Sequence, residues 1–373
     1  MKGDPRFDRI FPPKQRILFT TSLMRPVTFV KRFDFPVYGV DFSVDDQVIA
    51  AGGGGANRSG VKNKLMSFAV DEKNKSFKDL AQLALSDEED CPMSIACHPE
   101  LPLFAAGING TAQDIQQGKN PNCRLFSLEH GIEPVREIST STQKNADEYQ
   151  KVTRFSRSYL VTGFSDGKVT VLKMPDLKLA FPPLRFNNIQ DIDIDRDENY
   201  MAIATAKALI IASLEDGSIV QVIDSPKLNR NTTCEFRACR YASQDRANEK
   251  LYAIVNPTSR GRGFVCAWRV YPHQARYLRR AKTASVSRKG ITSFAVSPSG
   301  HVLAYASTDL TIGLIDAQTL RPLLRVPDAH GFAITSLNFS RSGEFLVSAG
   351  ADNCCRMMVV PKNLDLGKWL PSG

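Results

Sequence analysis

A loosely repeated unit is the feature that most limits what this chain can fold into. Seven times, a short segment of alternating apolar and polar residues leads into a polar turn and a second apolar segment. The apolar residues that close the first segment of each unit are Phe42, Cys97, Phe155, Ile194, Cys239, Val296 and Phe339. Steps of about 40 to 45 residues, lengthened where loops are inserted, are typical of four-stranded propeller blades. The sequence therefore predicts an all-β fold, a seven-bladed WD-type β-propeller.

The last unit offers three strands where a blade needs four. They are predicted over residues 333–339, 345–349 and 356–360, and Pro361 follows. The β-rich segment 26–33 lies ahead of the first unit and belongs to no blade of its own. Because an open sheet edge leaves backbone groups unpaired, we expect this N-terminal strand to complete the last blade. The predicted organisation is an N-terminal extension over residues 1–24, the propeller over 25–362 and a tail over 363–373.

Several acidic residues fall where turns are expected. Asp166, Asp309 and Asp352 occupy predicted hairpins, and Asp hydrogen-bonds its own backbone in tight turns. The acids between residues 191 and 198 resemble a calcium loop, but Arg196 and Ala202 stand where that loop needs Gly and Glu. Because apolar residues alternate with these acids, the pattern favours a half-exposed strand.

Charge and cysteine usage exclude several classes of protein. The chain has 48 basic against 39 acidic residues, a formal net charge of +9. A run between Arg260 and Lys289 holds nine basic residues and no acid, and it fits a solvated face, an anionic membrane or acidic partner, or nucleic acid. Nucleic acid is not expected as a partner, because no recognition helix or zinc pattern accompanies the run. Eight cysteines without a CxxC pair indicate reduced thiols.

No motif for covalent catalysis accompanies the repeat. The five histidines lack metal-binding spacing, and no nucleophile elbow or paired-carboxylate motif is present. His330 precedes a unit, where WD-type repeats place a structural hydrogen-bonding histidine. The sequence therefore does not predict an enzyme that makes or breaks covalent bonds.

The glycine-rich stretch over residues 50–64 is the outlier. Four consecutive glycines at the end of a strand cost conformational entropy, so something must require bare backbone there. Gly55 and Gly60 have the spacing of a phosphate-binding loop, but Val61 and Lys62 replace its Lys and Ser/Thr. A flexible hairpin insert and a cation site formed by carbonyl oxygens both remain possible from the residues alone.

Residues 36–65 resemble the first blade of the Sec-twelve family, which includes prolactin regulatory element-binding protein. The resemblance rests on Pro-Val-Tyr-Gly-Val from Pro36, on the glycine run, and on Gly-Val-Lys-Asn from Gly60. It implies a guanine-nucleotide exchange factor for a Sar-type small GTPase, which promotes GDP release to start COPII coat assembly. It also implies residence at the endoplasmic reticulum membrane through a C-terminal helix beyond this chain, with the propeller facing the cytosol.

The same resemblance assigns roles to the loop residues. It implies a potassium ion held by backbone oxygens of Gly52, Gly53, Gly54, Gly55 and Gly60. It implies that the GTPase, in its GDP-bound and nucleotide-free states, contacts Val61, Lys62, Asn63 and Lys64, and that Asn63 is the catalytic residue. Because Asn63 stands between two lysines, we expect an exposed side chain that contributes little to the fold. The alternative is a WD-repeat scaffold with no catalytic effect.

Overall fold

The structure is a computed structural model, and it describes residues 26–56, 60–228, 232–242, 249–271, 274, 277–362 and 364. The described strands form seven antiparallel sheets, as the repeat predicts. The N-terminal extension and most of the tail lie outside the described residues, so their predicted boundaries stay predictions.

The first three sheets follow one another along the chain. The first contains β2 (Val37–Phe42), β3 (Val48–Gly52), β4 (Lys64–Asp71) and β5 (Ser76–Ala84). The second contains β6 (Ser94–Cys97), β7 (Leu103–Gly107), β8 (Cys123–Ser127) and β9 (Glu133–Ile138), with the short helix α1 (Ala112–Gln116) between β7 and β8. The third contains β10 (Gln150–Phe155), β11 (Tyr159–Phe164), β12 (Lys168–Lys173), β13 (Lys178–Leu179) and β14 (Leu184–Arg185).

The next three sheets repeat the pattern. The fourth contains β15 (Ile189–Ile194), β16 (Tyr200–Thr205), β17 (Ala208–Ser213) and β18 (Ile219–Asp224). The fifth contains β19 (Cys234–Ala242), β20 (Lys250–Pro257), β21 (Gly263–Val270) and β22 (Leu278–Ser287). The sixth contains β23 (Ile291–Val296), β24 (Val302–Ser307), β25 (Ile312–Asp316) and β26 (Pro322–Val326).

The seventh sheet joins the two ends of the described chain. It contains β27 (Ile334–Phe339), β28 (Phe345–Gly350), β29 (Cys354–Val359) and β1 (Thr28–Arg32). β1 is antiparallel to β29, with Thr28 opposite Met358 and Arg32 opposite Cys354. The predicted closure of the last blade by an N-terminal strand is confirmed.

The innermost strands form a closed ring. In ring order they are β2, β6, β10, β15, β19, β23 and β27, and β27 contacts β2 again. Apolar side chains fill the space between neighbouring sheets, and every residue of β3, β24 and β25 is buried. Burial between two sheets explains why these strands are apolar throughout rather than alternating.

One face of the ring carries the starts of the innermost strands, and we call it the loop face. Val37, at the start of β2, pairs with Gly52 at the end of β3, and Gly52 pairs with Lys64 at the start of β4. The described parts of the β3–β4 connection, residues 53–56 and 60–63, therefore lie on the loop face. Among the described residues, no helix is long and apolar enough to cross a bilayer.

The acids between residues 191 and 198 begin in strand β15, which confirms the strand but not its half-exposed character. Asp191 is only 8% exposed. Arg154 and Arg240 form ion pairs with it, and Arg154 also pairs with Asp193. The carboxylates lie in the wall of the central channel, where two half-buried arginines neutralise them.

Candidate functional site

Close backbone approach explains the first two glycines of the run. The Gly53 N–H donates to the Pro36 carbonyl at 3.0 Å. A Cβ on Gly52 would lie 1.9 Å from the Pro36 oxygen, and one on Gly53 would lie 2.1 Å from Asn63 Oδ1. No side chain fits at either position, so the run is more than a flexible insert.

Asn63 closes this loop from inside. Its Oδ1 accepts from the Gly55 N–H at 3.0 Å, and its Nδ2 donates to the Glu89 carbonyl at 2.8 Å and to the Gly55 carbonyl at 3.4 Å. The side chain is buried, with the residue 3% exposed. The expectation that Asn63 is exposed and contributes little to the fold is wrong. It failed because the Glu89 carbonyl lies on a different connection, far away in sequence.

The acidic connection after β5 was missed in the sequence. Asp87 and Glu88 line a cavity of about 480 Å³ together with Gly55, Gly60 and residues 61–63. Glu89 anchors this connection, because its carboxylate accepts from the Ser86 N–H at 2.9 Å and pairs with Arg124 at 2.6 Å. The four consecutive acids from Asp87 to Asp90 could have drawn attention to this connection. Their position after the outer strand β5, however, did not indicate that they contact the glycine-rich loop.

The other proposed contact residues differ in their surroundings. Lys62 is exposed at the rim of the cavity. Val61 is half-buried and packs against the apolar cluster between the first and last blades. Lys64 pairs with Asp34 at 2.5 Å and lies over the Phe35 ring at 5.8 Å. Of the three, Lys62 is the side chain best placed to meet a partner on the loop face.

The donor chemistry around the cavity fits an alkali cation. The main-chain oxygens of Gly55 and Gly60 and the carboxylates of Asp87 and Glu88 are hard oxygen ligands, whereas Gly52, Gly53 and Gly54 do not line the cavity. The described residues hold no group of three or more His, Cys, Asp or Glu side chains suited to a metal. Backbone oxygens therefore have to supply most of the ligands for any ion bound here.

A Ser–His–Asp arrangement in the last blade has a structural role. His330 Nδ1 lies 3.0 Å from Asp352 Oδ1, and Nε2 lies 2.7 Å from Ser348 Oγ. Asp352 also accepts from the Gly331 N–H at 2.7 Å. Burial lowers the pKa of His330, although Asp352 acts in the opposite direction. Ser348 is 1% exposed, so no substrate can reach its hydroxyl, and the predicted structural role of His330 is confirmed.

The basic run lies mostly on the outside of the fifth blade. Its described members are all exposed: Arg260, Arg262, Arg269, Arg279, Arg280, Lys282, Arg288 and Lys289. Arg279 lies over the Tyr271 ring at 4.9 Å and donates to Gln274, and Arg280 donates to Thr283. Arg276 lies outside the described residues. These contacts are typical of a solvated strand surface.

Comparison with known proteins agrees with this fold. The family model "WD domain, G-beta repeat" matches residues 321–357. The crystal structure of the WD40 beta propeller domain of Doa1 superimposes with a TM-score of 0.62 and 15% identity, covering 90% of this chain and 97% of that one. The protein is a WD-repeat β-propeller.

Similarity to curated proteins indicates which group of WD-repeat propellers this chain resembles. The chain is 24% identical to the putative guanine nucleotide-exchange factor SED4 of Saccharomyces cerevisiae over 87% of its own length, and it spans 30% of that protein. It is 22% identical to the guanine nucleotide-exchange factors SEC12 of Candida glabrata and Rattus norvegicus, over 90% and 91% of its length, and it spans 73% and 92% of them. These matches support the assignment of the chain to the Sec12 family, as its loop residues predicted.

Proposed function

We propose that this protein is a guanine-nucleotide exchange factor for a Sar-type small GTPase. The observation that carries the proposal is the loop of residues 53–63, which Asn63 fixes to two main-chain positions while Lys62 remains exposed on the loop face. The relatives named as exchange factors match this chain along most of its length, and this favours exchange over the scaffold alternative.

Exchange of this kind needs no covalent chemistry. A protein that binds the nucleotide-free GTPase more tightly than the GDP-bound form weakens GDP binding by the same factor, because the coupling is reciprocal. A loop that is already ordered before binding keeps more of its contact energy for this difference. Of residues 61–64, the exposed Lys62 would make the main contact with the GTPase, and the buried Asn63 would act by fixing the shape that the loop presents.

A potassium ion fits the same loop. The resemblance gives the main-chain oxygens of Gly52, Gly53, Gly54, Gly55 and Gly60 as its ligands. Of these glycines, Gly55 and Gly60 line the cavity, where Asp87 and Glu88 would add negative charge. The ion would supply rigidity rather than reactivity. Sodium or lithium, which are smaller, would contact the same set of oxygens less well and so loosen the loop.

The cellular setting follows from the proposed partner. A Sar-type GTPase starts COPII coat assembly at the endoplasmic reticulum, so we place this propeller on the cytosolic side of that membrane. A membrane helix following Gly373 would tether the propeller and raise its local concentration near the GTPase.

Release of fluorescent GDP from a purified Sar-type GTPase, measured beside a panel of other small GTPases, tests the proposal. We expect release to accelerate for the Sar-type protein alone. Lys62→Ala should slow release by about tenfold, equivalent to about 1.4 kcal/mol, without a change in melting temperature. Lys78→Ala, an exposed lysine on the outer strand β5, is the matched control and should retain full activity.

Two further outcomes separate the hypotheses. Replacing potassium by lithium should lower GTPase binding and release together. If the chain binds the GTPase but leaves GDP release at its spontaneous rate, the scaffold alternative is correct.

A further inference from the structure

A ring of β-bulges surrounds the opening of the central channel on the loop face. In six blades the innermost strand carries a register shift near its start. The shift follows the first paired residue in five of them, and in the fifth blade it follows Phe236, the third paired residue. The bulged residues are Tyr38, Lys151, Gln190, Arg237, Thr292 and Thr335. All six line one cavity of about 430 Å³, which we call the channel mouth. Bulges re-aim side chains, so this repetition points a set of polar groups into one opening.

Two of the four cations in the channel mouth have carboxylate partners. Arg154 donates to Asp191 at 3.2 Å and lies 3.4 Å from Asp193. Arg240 donates to the other oxygen of Asp191. Asp191 also accepts from the Cys239 N–H at 3.1 Å, so its oxygens are fully occupied. These four side chains form a neutral group in the channel wall.

The other two cations share a neutral acceptor. Lys151 Nζ and Arg237 Nη1 both donate to Gln190 Oε1, at 3.1 and 3.0 Å. Within the part of the chain that the structure describes, neither forms an ion pair. Burial and the nearby Arg237 charge lower the pKa of Lys151 to about 8, against the opposing effect of Asp191. Two like charges thus lie together, half-buried, at a cost that an anion would offset.

We propose that the channel mouth binds a phosphate group, with Lys151 and Arg237 contacting its oxygens. The two cations without a carboxylate match the charge of a phosphate dianion, whereas one carboxylate would neutralise only half of it. Arginine can donate two parallel hydrogen bonds to a phosphate, and lysine adds a compact charge with three donors. The group belongs either to a soluble phosphate compound or to the headgroup of a phospholipid. This site is independent of the exchange activity proposed above.

Calorimetric titration of the full chain in a low-salt, phosphate-free buffer tests this site. The soluble probes are inorganic phosphate, glycerol 3-phosphate and inositol 1,4,5-trisphosphate, and the carboxylate probe is glutamate. Flotation with phosphatidylcholine vesicles, with and without phosphatidylinositol 4-phosphate, tests the lipid source. Binding of the soluble probes supports a soluble phosphate compound, and binding to the phosphoinositide vesicles alone supports a headgroup.

The variants Lys151→Gln and Arg237→Gln should each weaken binding at least tenfold. Their melting temperatures without ligand should stay the same or rise, because each change relieves like-charge repulsion. Arg279→Gln on the outer strand β22 makes the same change in net charge and should bind as the parent does. Glutamate affinity equal to that for phosphate, equal binding by the double variant, or no binding by any phosphate probe would overturn the proposal.

Discussion

Asn63 Oδ1 accepts a hydrogen bond from the Gly55 N–H at 3.0 Å, so one buried amide joins the two sides of the glycine-rich loop. The same amide reaches the Glu89 carbonyl on the next connection. The loop on which the proposed exchange activity depends is therefore part of the folded framework. Substitutions in it have to be interpreted through stability as well as through contact with a partner.

Asn63→Ala should lower the free energy of unfolding and slow GDP release together. The substitution leaves the Gly55 N–H and the Glu89 carbonyl without a protein partner, which costs about 1–3 kcal/mol. Urea unfolding measures the first effect, and GDP release at a temperature well below the melting transition measures the second. Lys62→Ala is the control, since its exposed side chain should affect release but not unfolding. Unchanged stability of Asn63→Ala would show that the amide bonds are not formed in solution.

Gly53→Ala should disrupt the loop more than a substitution at Gly60. The new Cβ at position 53 would lie 2.1 Å from Asn63 Oδ1, whereas no atom lies within 4 Å of one at position 60. Both residues have positive φ, so both variants carry backbone strain of about 1–2 kcal/mol. Only Gly53→Ala should also displace Asn63. Comparing hydrogen exchange at the Gly55 amide in the two variants separates strain from displacement, and equal protection would contradict this prediction.

Removal of residues 1–24 should be tolerated, and removal of residues 1–33 should not. The longer deletion takes away β1, which leaves β29 with an unpaired edge and removes Phe29 from its contact with Phe77 at 5.0 Å. We expect a lower melting temperature and aggregation for the longer deletion only. Thermal scanning with light scattering measures both, and matching melting curves for the two proteins would argue against closure by β1.

Glu249→Gln should stabilise the protein at pH 8 and have little effect at pH 5. Burial raises the pKa of Glu249 to about 7, and nearby Asp195 adds to the increase. The folded state therefore binds a proton that the unfolded state has released, so stability falls as pH rises from about 4.5 to about 7. The expected gain at pH 8 is on the order of 1–2 kcal/mol after solvent screening. Glu235→Gln, an exposed carboxyl on β19, is the control in urea titrations at both pH values.

The architecture was predictable because it repeats. Each blade begins with a strand of alternating apolar and polar residues that leads into a turn. One such pattern is weak evidence, but seven of them at a common period predict a seven-bladed ring. The same period shows that the last unit lacks a strand, and pairing of Thr28 with Met358 confirms the prediction that the N-terminal segment supplies it. The local sequence pattern was sufficient to predict this closure. The N-terminal segment had only to form an extended strand with no partner in a blade of its own.

The site was only partly predictable, because its decisive contacts join distant parts of the sequence. The bonds of Asn63 to Glu89 and of Lys151 and Arg237 to Gln190 cross from one connection or blade to the next. Lysines next to Asn63 suggested exposure, but in the loop before β4 its amide turns inward to Gly55 and Glu89 while Lys62 is exposed. The bulged residues lie in separate blades and include Tyr, Lys, Gln, Arg and Thr side chains, so no motif groups them.

The pairing of β1 with β29 also determines how the propeller is oriented when either end of the chain is attached to a surface. Arg32 and Cys354 lie at the loop face, whereas the Val359 N–H bonds the Val27 carbonyl at 3.0 Å on the opposite face. The described chain thus enters and leaves on the underside of the ring. If either end were tethered to a surface, the loop face would point away from that surface. The glycine-rich loop and the channel mouth would then lie on the far side of the ring. A partner on that surface would have to reach around the rim, or the linker would have to be long enough for the propeller to turn over.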